Sequence, residues 1–132
     1  MSVPNTSERP RPLRVLIVDD NVDAASTLAL ILRHDGYDVH VATDGKSAIE
    51  NTRRLRPQVM ICDLGMPVMG GLEVARTVRA DESCGPVVLI ALTGFGDEYS
   101  KLKSQEAGFE FYLIKPVDPE EVEALLRSIA NR

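Results

Sequence analysis

Acidic side chains follow the first and third apolar segments of this 132-residue chain. Asp19 and Asp20 end the stretch VLIVDDN, and Asp63 ends the stretch VMICD. Carboxylates that lie close together repel each other, and the repulsion raises the pKa of at least one of them unless a cation is bound. Oxygen ligands without His or Cys favour Mg²⁺, with Mn²⁺ as the alternative. The sequence therefore predicts a magnesium site formed by Asp19, Asp20 and Asp63, provided that the two segments end at the same place.

A hydroxyl group and an ammonium group follow two later apolar segments. Thr93 ends the stretch LIALT, and Lys115 comes directly after YLI. A simple cation site does not need an ammonium group, whereas a phosphoryl group needs positive charge and donors on several sides. A carboxylate can accept a phosphoryl group as an acyl phosphate. The set predicts Mg²⁺-assisted phosphoryl transfer onto Asp63, with Thr93 and Lys115 binding the phosphoryl oxygens.

These side chains converge only if strands and helices alternate along the chain. Several apolar segments are almost continuous, which is typical of parallel strands buried on both faces. Apolar residues recur at helical spacing between them. This pattern predicts an α/β fold, a (βα)5 doubly wound parallel sheet, in which ligands bind beyond the carboxyl ends of the strands. The predicted strands are Val15–Val18, Val39–Val41, Val59–Cys62, Val87–Leu92 and Phe111–Ile114.

The last two predicted helices differ in character. Asp118 is a good N-cap for the fifth helix, and Pro119 suits its first position. The fourth helix, around 97–107, is mostly polar, and we expect Tyr99 and Leu102 to be its main apolar contacts. A helix with so few apolar residues is a plausible mobile element.

Charge and composition exclude several classes of protein. The net charge of −5 opposes binding to nucleic acid or to an anionic membrane. No apolar segment approaches the ~18–20 residues that span a bilayer. Cys62 and Cys84 fit neither a metal site nor a disulfide framework, so a reducing cytoplasm is expected. Residues 1–12, with three prolines, are predicted to be a flexible lead-in to one domain at 13–132.

In order along the chain, these residues resemble the receiver domain of two-component response regulators, over nearly all of the sequence. The resemblance implies a flavodoxin-like sheet with strand order 2-1-3-4-5 and a phosphorylation-activated signalling switch. The matching elements are Asp19-Asp20, Asp63 followed by Met66-Pro67, Met69 and Gly71, Thr93-Gly94, and Lys115-Pro116.

The resemblance also implies roles for individual residues in the phosphoryl site. Asp63 would accept the phosphoryl group from a phosphohistidine on a sensor kinase or a histidine phosphotransfer protein. Asp20 and Asp63 would hold Mg²⁺ directly, Asp19 would act mainly through water, and the backbone carbonyl of Gly65 would be a further ligand. The peptide bond between Lys115 and Pro116 would be cis.

The resemblance also implies how phosphorylation would change the conformation of the domain. Thr93 would move toward the phosphoryl group, and Tyr112 would turn inward as it does so. The altered surface, which would contact a downstream protein, would comprise the fourth helix, the fifth strand and the fifth helix. Such a protein catalyses only its own phosphorylation and dephosphorylation and is not a conventional enzyme.

Two positions depart from frequent choices in receiver domains. Gly65 lies two residues after the acceptor and offers no side chain over the pocket, whereas Phe95, two residues after Thr93, is large and apolar. We expect these two residues to set how readily water reaches the acyl phosphate and so to set its lifetime.

Other classes of protein fit the sequence less well. A haloacid dehalogenase-like Mg²⁺ phosphatase carries a second acid two residues after its nucleophile, where this chain has Gly65. A flavodoxin-like electron carrier needs a phosphate-binding loop after the first strand, where this chain has Asp-Asp-Asn. A pseudo-receiver should have a degraded acidic pocket, and this one is complete. Because about two residues follow the last predicted helix, we expect a single-domain regulator without DNA-binding output, with a receiver module of a hybrid kinase or larger regulator as the alternative.

Overall fold

The computed structural model describes residues 12–132, and the predicted lead-in at 1–12 lies outside them except for its last residue. Each predicted strand and helix is present in the expected order. The strands are β1 Arg14–Val18, β2 Asp38–Ala42, β3 Val59–Asp63, β4 Val88–Thr93 and β5 Phe111–Ile114. The helices are α1 Val22–His34, α2 Gly45–Leu55, α3 Gly71–Ala80, α4 Glu98–Ala107 and α5 Pro119–Ala130, with a short 3-10 helix at Glu82–Cys84.

The five strands form one parallel sheet in the order β2-β1-β3-β4-β5, which confirms the predicted doubly wound fold. Val18 is paired with Cys62 between β1 and β3, and Thr93 is paired with Ile114 between β4 and β5. The carboxyl ends of these strands therefore meet at one edge of the sheet, where the predicted site residues follow them.

Two apolar layers cover the two faces of the sheet. Side chains alternate along β1, so that Leu16 and Val18 face the layer of α2, α3 and α4, while Val15 and Ile17 face the layer of α1 and α5. All four side chains are almost completely buried. Burial on both faces explains why this strand is apolar without interruption.

Side-chain caps fix where the helices begin. The side chain of Asn21 accepts a hydrogen bond from the amide of Ala24 at the start of α1. Asp118 accepts from the amide of Glu120 and is followed by Pro119, as the sequence predicted. Each such cap contributes ~1 kcal/mol to stability. The caps of α1 and α5 also end the loops that follow β1 and β5, at the edge where the site lies.

The orientation of α4 differs from the prediction. Tyr99 and Leu102 are 68% and 52% exposed, so they are not the main core contacts of the helix. Its buried residues are Ser104 and Ala107, which lie one turn apart on the opposite side of the helix. The helix therefore turns its small side chains to the core and leaves its large apolar ones in solvent. As expected, few side chains hold it to the core.

Both cysteine side chains lie in the interior of the domain. Cys62 and Cys84 are free and buried, and burial raises the pKa of each thiol. Both thiols are therefore protonated at neutral pH and pack as small apolar groups. Among residues 12–132, no helix has the length and apolar character needed to cross a membrane.

Gly71 allows α3 to begin directly against the end of β3. A Cβ atom there would lie 2.5 Å from the carbonyl oxygen of Asp63 and 2.9 Å from the Cα atom of Leu64. Because both are backbone atoms, neither can move aside freely. We expect Gly71→Ala to lower the free energy of unfolding by about 1–3 kcal/mol in urea titrations. Arg76→Ala, at an exposed position of the same helix, should change it by less than about 0.5 kcal/mol, and equal losses would contradict this account.

Candidate functional site

The three predicted acidic residues lie together at the carboxyl edge of the sheet. Asp19 and Asp20 follow β1, and Asp63 is the last residue of the neighbouring strand β3. One carboxylate oxygen from each residue lies within 4.8 Å of the others. Asp19 and Asp63 are buried, whereas Asp20 is exposed. The cluster is therefore open to solvent on the side of Asp20.

Backbone amides orient the two buried carboxylates. Oδ1 of Asp19 accepts a hydrogen bond from the amide of Asn21 at 3.0 Å, and Oδ1 of Asp63 accepts one from the amide of Gly65 at 3.0 Å. In each case the donor lies two residues further along the chain, in the loop that leaves the strand. The second oxygen of each carboxylate, Oδ2, faces the ammonium group of Lys115.

Lys115 reaches this cluster from the end of β5, two strands away from β3. Its Nζ atom lies 3.1 Å from Oδ2 of Asp63 and 3.4 Å from Oδ2 of Asp19. The spatial convergence that the sequence predicted is therefore present, and the peptide bond between Lys115 and Pro116 is cis.

Burial and charge act in opposite directions on these groups. Burial lowers the pKa of Lys115, but its hydrogen bond to Asp63 and the two carboxylate charges outweigh this, and the pKa is raised. Burial raises the pKa of Asp19, and the Asn21 amide and the Lys115 charge offset this only in part. The lysine is therefore cationic at neutral pH and lies between two carboxylates that need positive charge.

The cluster fits a hard divalent cation. One ammonium group cannot balance three carboxylates, and their separations are small enough for one ion to contact all of them directly or through water. The ligands are oxygen atoms, which Mg²⁺ and Mn²⁺ prefer. Within residues 12–132, the acidic, histidine and cysteine side chains form one group whose spacing suits a metal ion, and it consists of Asp19, Asp20 and Asp63.

Thr93 and Tyr112, the predicted switch residues, are connected through one residue between them. Thr93 is buried at the end of β4, and its Oγ1 accepts a hydrogen bond from the amide of Phe95 at 3.1 Å. The carbonyl oxygen of Phe95 in turn accepts a hydrogen bond from the hydroxyl of Tyr112. This connection could not be predicted from the sequence, because it depends on backbone groups of the loop after β4.

The two unusual positions, Gly65 and Phe95, differ in their relation to the acceptor. A Cβ atom at Gly65 would lie 3.6 Å from Oδ1 of Asp63, which is an ordinary contact distance. Phe95 is 73% exposed, so its ring does not fill the pocket. Space beside Asp63 is therefore open at the position of Gly65.

A groove beside the site was not predicted. It lies between α1 and the start of α5, has a volume of about 760 Å³, and opens next to Asp19 and Lys115. Its size depends on the separation of two helices, which sequence patterns do not give. The only signal in the sequence is the small side chains on this face of α1. The lining includes Asn21, Ala24, Leu28, Ile31, Pro116 and Val117.

A doubly wound sheet in the order 2-1-3-4-5, with acids and a lysine at its carboxyl edge, defines the class of receiver-like α/β domains. The model of the response regulator receiver domain family matches residues 15–127, and the chain belongs to that family. Receiver domains act in two-component signal transduction as phosphoacceptor switches, and they bind Mg²⁺ through acidic residues.

Relatives and solved structures agree with this assignment. The DNA-binding response regulator MtrA of Mycobacterium tuberculosis (strain H37Rv) is 36% identical over 119 residues, covering 90% of this chain and 51% of the relative. The chain thus spans about half the length of the curated relatives it matches. The structure of the chemotaxis protein CheY4 of Vibrio cholerae aligns with a TM-score of 0.84 and 30% identity, covering 89% of this chain and 98% of that one. The receiver domain of a sensor histidine kinase from Pseudomonas aeruginosa PAO1, with a magnesium ion coordinated in its active-site cleft, aligns with a TM-score of 0.83 and 29% identity, covering 92% of this chain and 99% of that one.

Removing one carboxylate tests the fit to magnesium. Mg²⁺ should raise the unfolding temperature of the wild type, since a ligand at a hundredfold excess over its Kd stabilises by about 2.7 kcal/mol. Asp20→Asn should lose most of this rise, and without Mg²⁺ it should be more stable than the wild type because repulsion is relieved. Asp23→Asn, at an exposed acid in the first turn of α1, is the control with the same change of charge. An equal response to Mg²⁺ in Asp20→Asn and the wild type would exclude the proposed site.

Proposed function

We propose that this chain is a phosphorylation-activated signalling switch in which Asp63 accepts a phosphoryl group from a phosphohistidine in a Mg²⁺-dependent reaction. The observation that carries the proposal is the distance of 3.1 Å between Nζ of Lys115 and Oδ2 of Asp63, beside the acidic cluster. A lysine that already touches the acceptor can bind the oxygens of the group that arrives there. The donor would be a sensor histidine kinase or a histidine phosphotransfer protein.

The reaction moves one phosphoryl group between two nucleophiles. A carboxylate oxygen of Asp63 bonds to phosphorus while the bond from phosphorus to the imidazole nitrogen breaks, and the electron pair stays on the ring nitrogen. Lys115 and Thr93 bind the phosphoryl oxygens. Hydrolysis by water later releases inorganic phosphate and restores the carboxylate. In this proposal the chain promotes only these two steps, on itself, and is not a conventional enzyme.

The metal would be held at the three acids. We assign Asp20 and Asp63 as direct ligands, the backbone carbonyl of Gly65 as a further ligand, and Asp19 as acting mainly through water. When bound, Mg²⁺ (or Mn²⁺) would supply positive charge that stabilises the phosphoryl oxygens during transfer. The burial and amide hydrogen bonds of Asp19 and Asp63 support this assignment, because they fix both carboxylates before the ion arrives.

Phosphorylation would bias a conformational equilibrium at the loop after β4. A phosphoryl group adds about −1.5 to −2 of charge, which attracts the hydroxyl of Thr93. Any movement of Thr93 reaches Tyr112 through the hydrogen bonds at Phe95. The weakly held helix α4, with β5 and α5, would then present a changed surface to a downstream protein. Exposed apolar side chains near this surface support such a contact, namely Phe95, Tyr99, Leu102 and Ile114.

The groove between α1 and α5 supports a protein donor. A phosphohistidine must come within bonding distance of Asp63, and the groove opens beside Asp19 and Lys115 at the same edge. The net charge of −5 supports protein partners over nucleic acid or an anionic membrane for this chain. DNA binding is stated in the name of MtrA and belongs to that protein.

The proposal covers two arrangements of the whole protein. We favour a single-domain regulator in which residues 13–132 form the receiver domain, and the alternative is a receiver module of a hybrid kinase or a larger regulator. The free, buried thiols of Cys62 and Cys84 support a reducing cytoplasm as its location. The phosphatase alternative gains no support, because the position two residues after Asp63 has no side chain.

Phosphotransfer profiling tests the acceptor. The protein is incubated with Mg²⁺ and each of a panel of phosphorylated histidine kinases, and labelling is followed on gels over time. One kinase should label the wild type fast, and Asp63→Asn should remove this labelling because the amide cannot accept the phosphoryl group. Asp35→Asn, an exposed acid at the far end of α1, should be labelled like the wild type. Labelling that persists in Asp63→Asn would place the acceptor elsewhere.

The lifetime of the acyl phosphate should depend on Gly65. The backbone of Gly65 does not adopt a left-handed conformation, and a Cβ there would lie 3.6 Å from Oδ1 of Asp63. A larger side chain can therefore be introduced without strain and should hinder water. We expect Gly65→Asn to slow self-dephosphorylation several-fold, measured as loss of label after the donor is removed. Val68→Ala, in the same loop but with a fully exposed side chain, should have the wild-type rate, and an unchanged rate in Gly65→Asn would refute the idea.

A further inference from the structure

The two ends of α4 are attached to the rest of the domain in different ways. We propose that α4 is a hinged helix: its last turn stays fixed to the ends of α3 and the start of β4 through Arg79, while residues 98–103 can separate from the sheet independently. This inference does not depend on phosphoryl transfer to Asp63. It narrows the part of α4 that the proposed switch can change to the first half of the helix.

The buried residues of α4 lie in its second half. Ser104 and Ala107 are buried, whereas each residue from 98 to 103 is exposed or half-buried. Phe109, two residues after the end of the helix, is also buried and belongs to the apolar layer under α2, α3 and α4. Segments with few buried contacts open at a lower free-energy cost than segments packed in the interior. The first half of the helix should therefore open more easily than the second.

Backbone hydrogen bonds strengthen the attachment of the C-terminal end. The helix ends at Gly108, which adopts the left-handed conformation with φ 111°. The amide of Phe109 donates to the carbonyl oxygen of Ser104 at 3.0 Å, and the amide of Glu110 donates to that of Leu89 on β4 at 2.8 Å. The chain therefore passes from α4 to β5 through a turn that is bonded both to the helix and to the sheet.

Arg79 joins this turn to two other elements. It lies in the last turn of α3, and its Nη1 atom donates to the carbonyl oxygen of Val87, just before β4, at 2.6 Å. Its Nη2 atom donates to the carbonyl oxygen of Gly108 at 3.1 Å. A Cβ atom on Gly108 would lie 2.9 Å from Cγ and from Nε of Arg79, so the side chain packs directly against this glycine. Hydrogen bonds from a charged donor are stronger than those between neutral groups.

The N-terminal end of α4 is joined to the sheet through the loop that precedes it. The hydroxyl of Tyr112, on β5, donates to the carbonyl oxygen of Phe95, two residues before the N-cap Asp97. The side chain of Asp97 accepts from the amide of Ser100, and this bond stays within the helix. Because α4 follows β4, this end lies at the carboxyl edge of the sheet, close to Thr93. The weakly held end thus lies at the edge of the proposed phosphoryl site, and the firmly held end lies at the opposite edge.

Residue-resolved amide hydrogen exchange measures the opening of each half of the helix. The amides of Leu102 and Lys103 report on the first half, and the amide of Phe109 reports on the C-terminal turn. In the wild type, the protection factors of Leu102 and Lys103 should be at least about tenfold lower than that of Phe109. Equal protection at the two ends would overturn the inference.

Two substitutions should affect opposite ends of α4. Arg79→Met keeps an apolar stem and removes both donors, so it should lower the protection of Phe109 about threefold to tenfold and change that of Leu102 by less than about twofold. Tyr112→Phe removes the hydroxyl at the other end and should lower the protection of Leu102 while leaving that of Phe109 unchanged. Arg76→Met, at an exposed residue one turn earlier in α3, should match the wild type. An Arg79→Met protein with wild-type protection at Phe109, or with equal losses along α4, would contradict the hinge.

Arg79→Lys keeps the test decisive if Arg79→Met does not fold. It retains the charge but offers one donor nitrogen in place of the two that bind Val87 and Gly108, so the protection of Phe109 should fall about twofold to threefold, with no change at Leu102. Wild-type protection at Phe109 in this variant would also overturn the inference. None of these measurements uses a phosphoryl donor. A protein that is never labelled at Asp63 would therefore refute the proposed function and leave the hinge standing.

Discussion

Repulsion among three carboxylates is the constraint around which this domain is arranged. Asp19, Asp20 and Asp63 come from adjacent parallel strands whose ends cannot separate without breaking the sheet. Lys115 relieves only part of the repulsion, and burial, with a smaller contribution from the charge of Asp63, raises the pKa of Asp19 even with the lysine beside it. The negative charge of the three carboxylates at this edge is therefore not fully balanced by Lys115. That need for positive charge fits this edge to the divalent cation that receiver domains bind, and it supports the phosphoryl transfer that we propose.

The sequence contained most of the information about this edge. Parallel strands buried on both faces have uninterrupted apolar segments, and a polar residue that ends such a segment must lie at the carboxyl edge. For this reason the convergence of Asp63 and Lys115, more than fifty residues apart in the chain, followed from the order of strands and helices alone. The cap at Asp118 could be read from the sequence because a cap is formed by residues within one turn of each other.

Features that depend on distances between elements could not be read in this way. Tyr99 and Leu102 looked like core residues of α4, yet the helix is rotated so that Ser104 and Ala107 face the core. A helix with so few apolar residues has two similar choices of face, and only its neighbours decide between them. The hydrogen bonds at the Phe95 peptide group and the groove between α1 and α5 have the same origin, since both depend on where a backbone lies rather than on which residue it carries.

The division of the interior into two apolar layers has an evolutionary consequence. Packed interiors transmit changes of volume to the groups that they touch. Here the layer under α1 and α5 meets the layer under α2, α3 and α4 only through the strand backbones. Substitutions that change the packing of one layer should therefore have little effect on the packing of the other. Surfaces on opposite sides of the sheet can therefore change separately during evolution without moving the strand ends that carry the acidic residues.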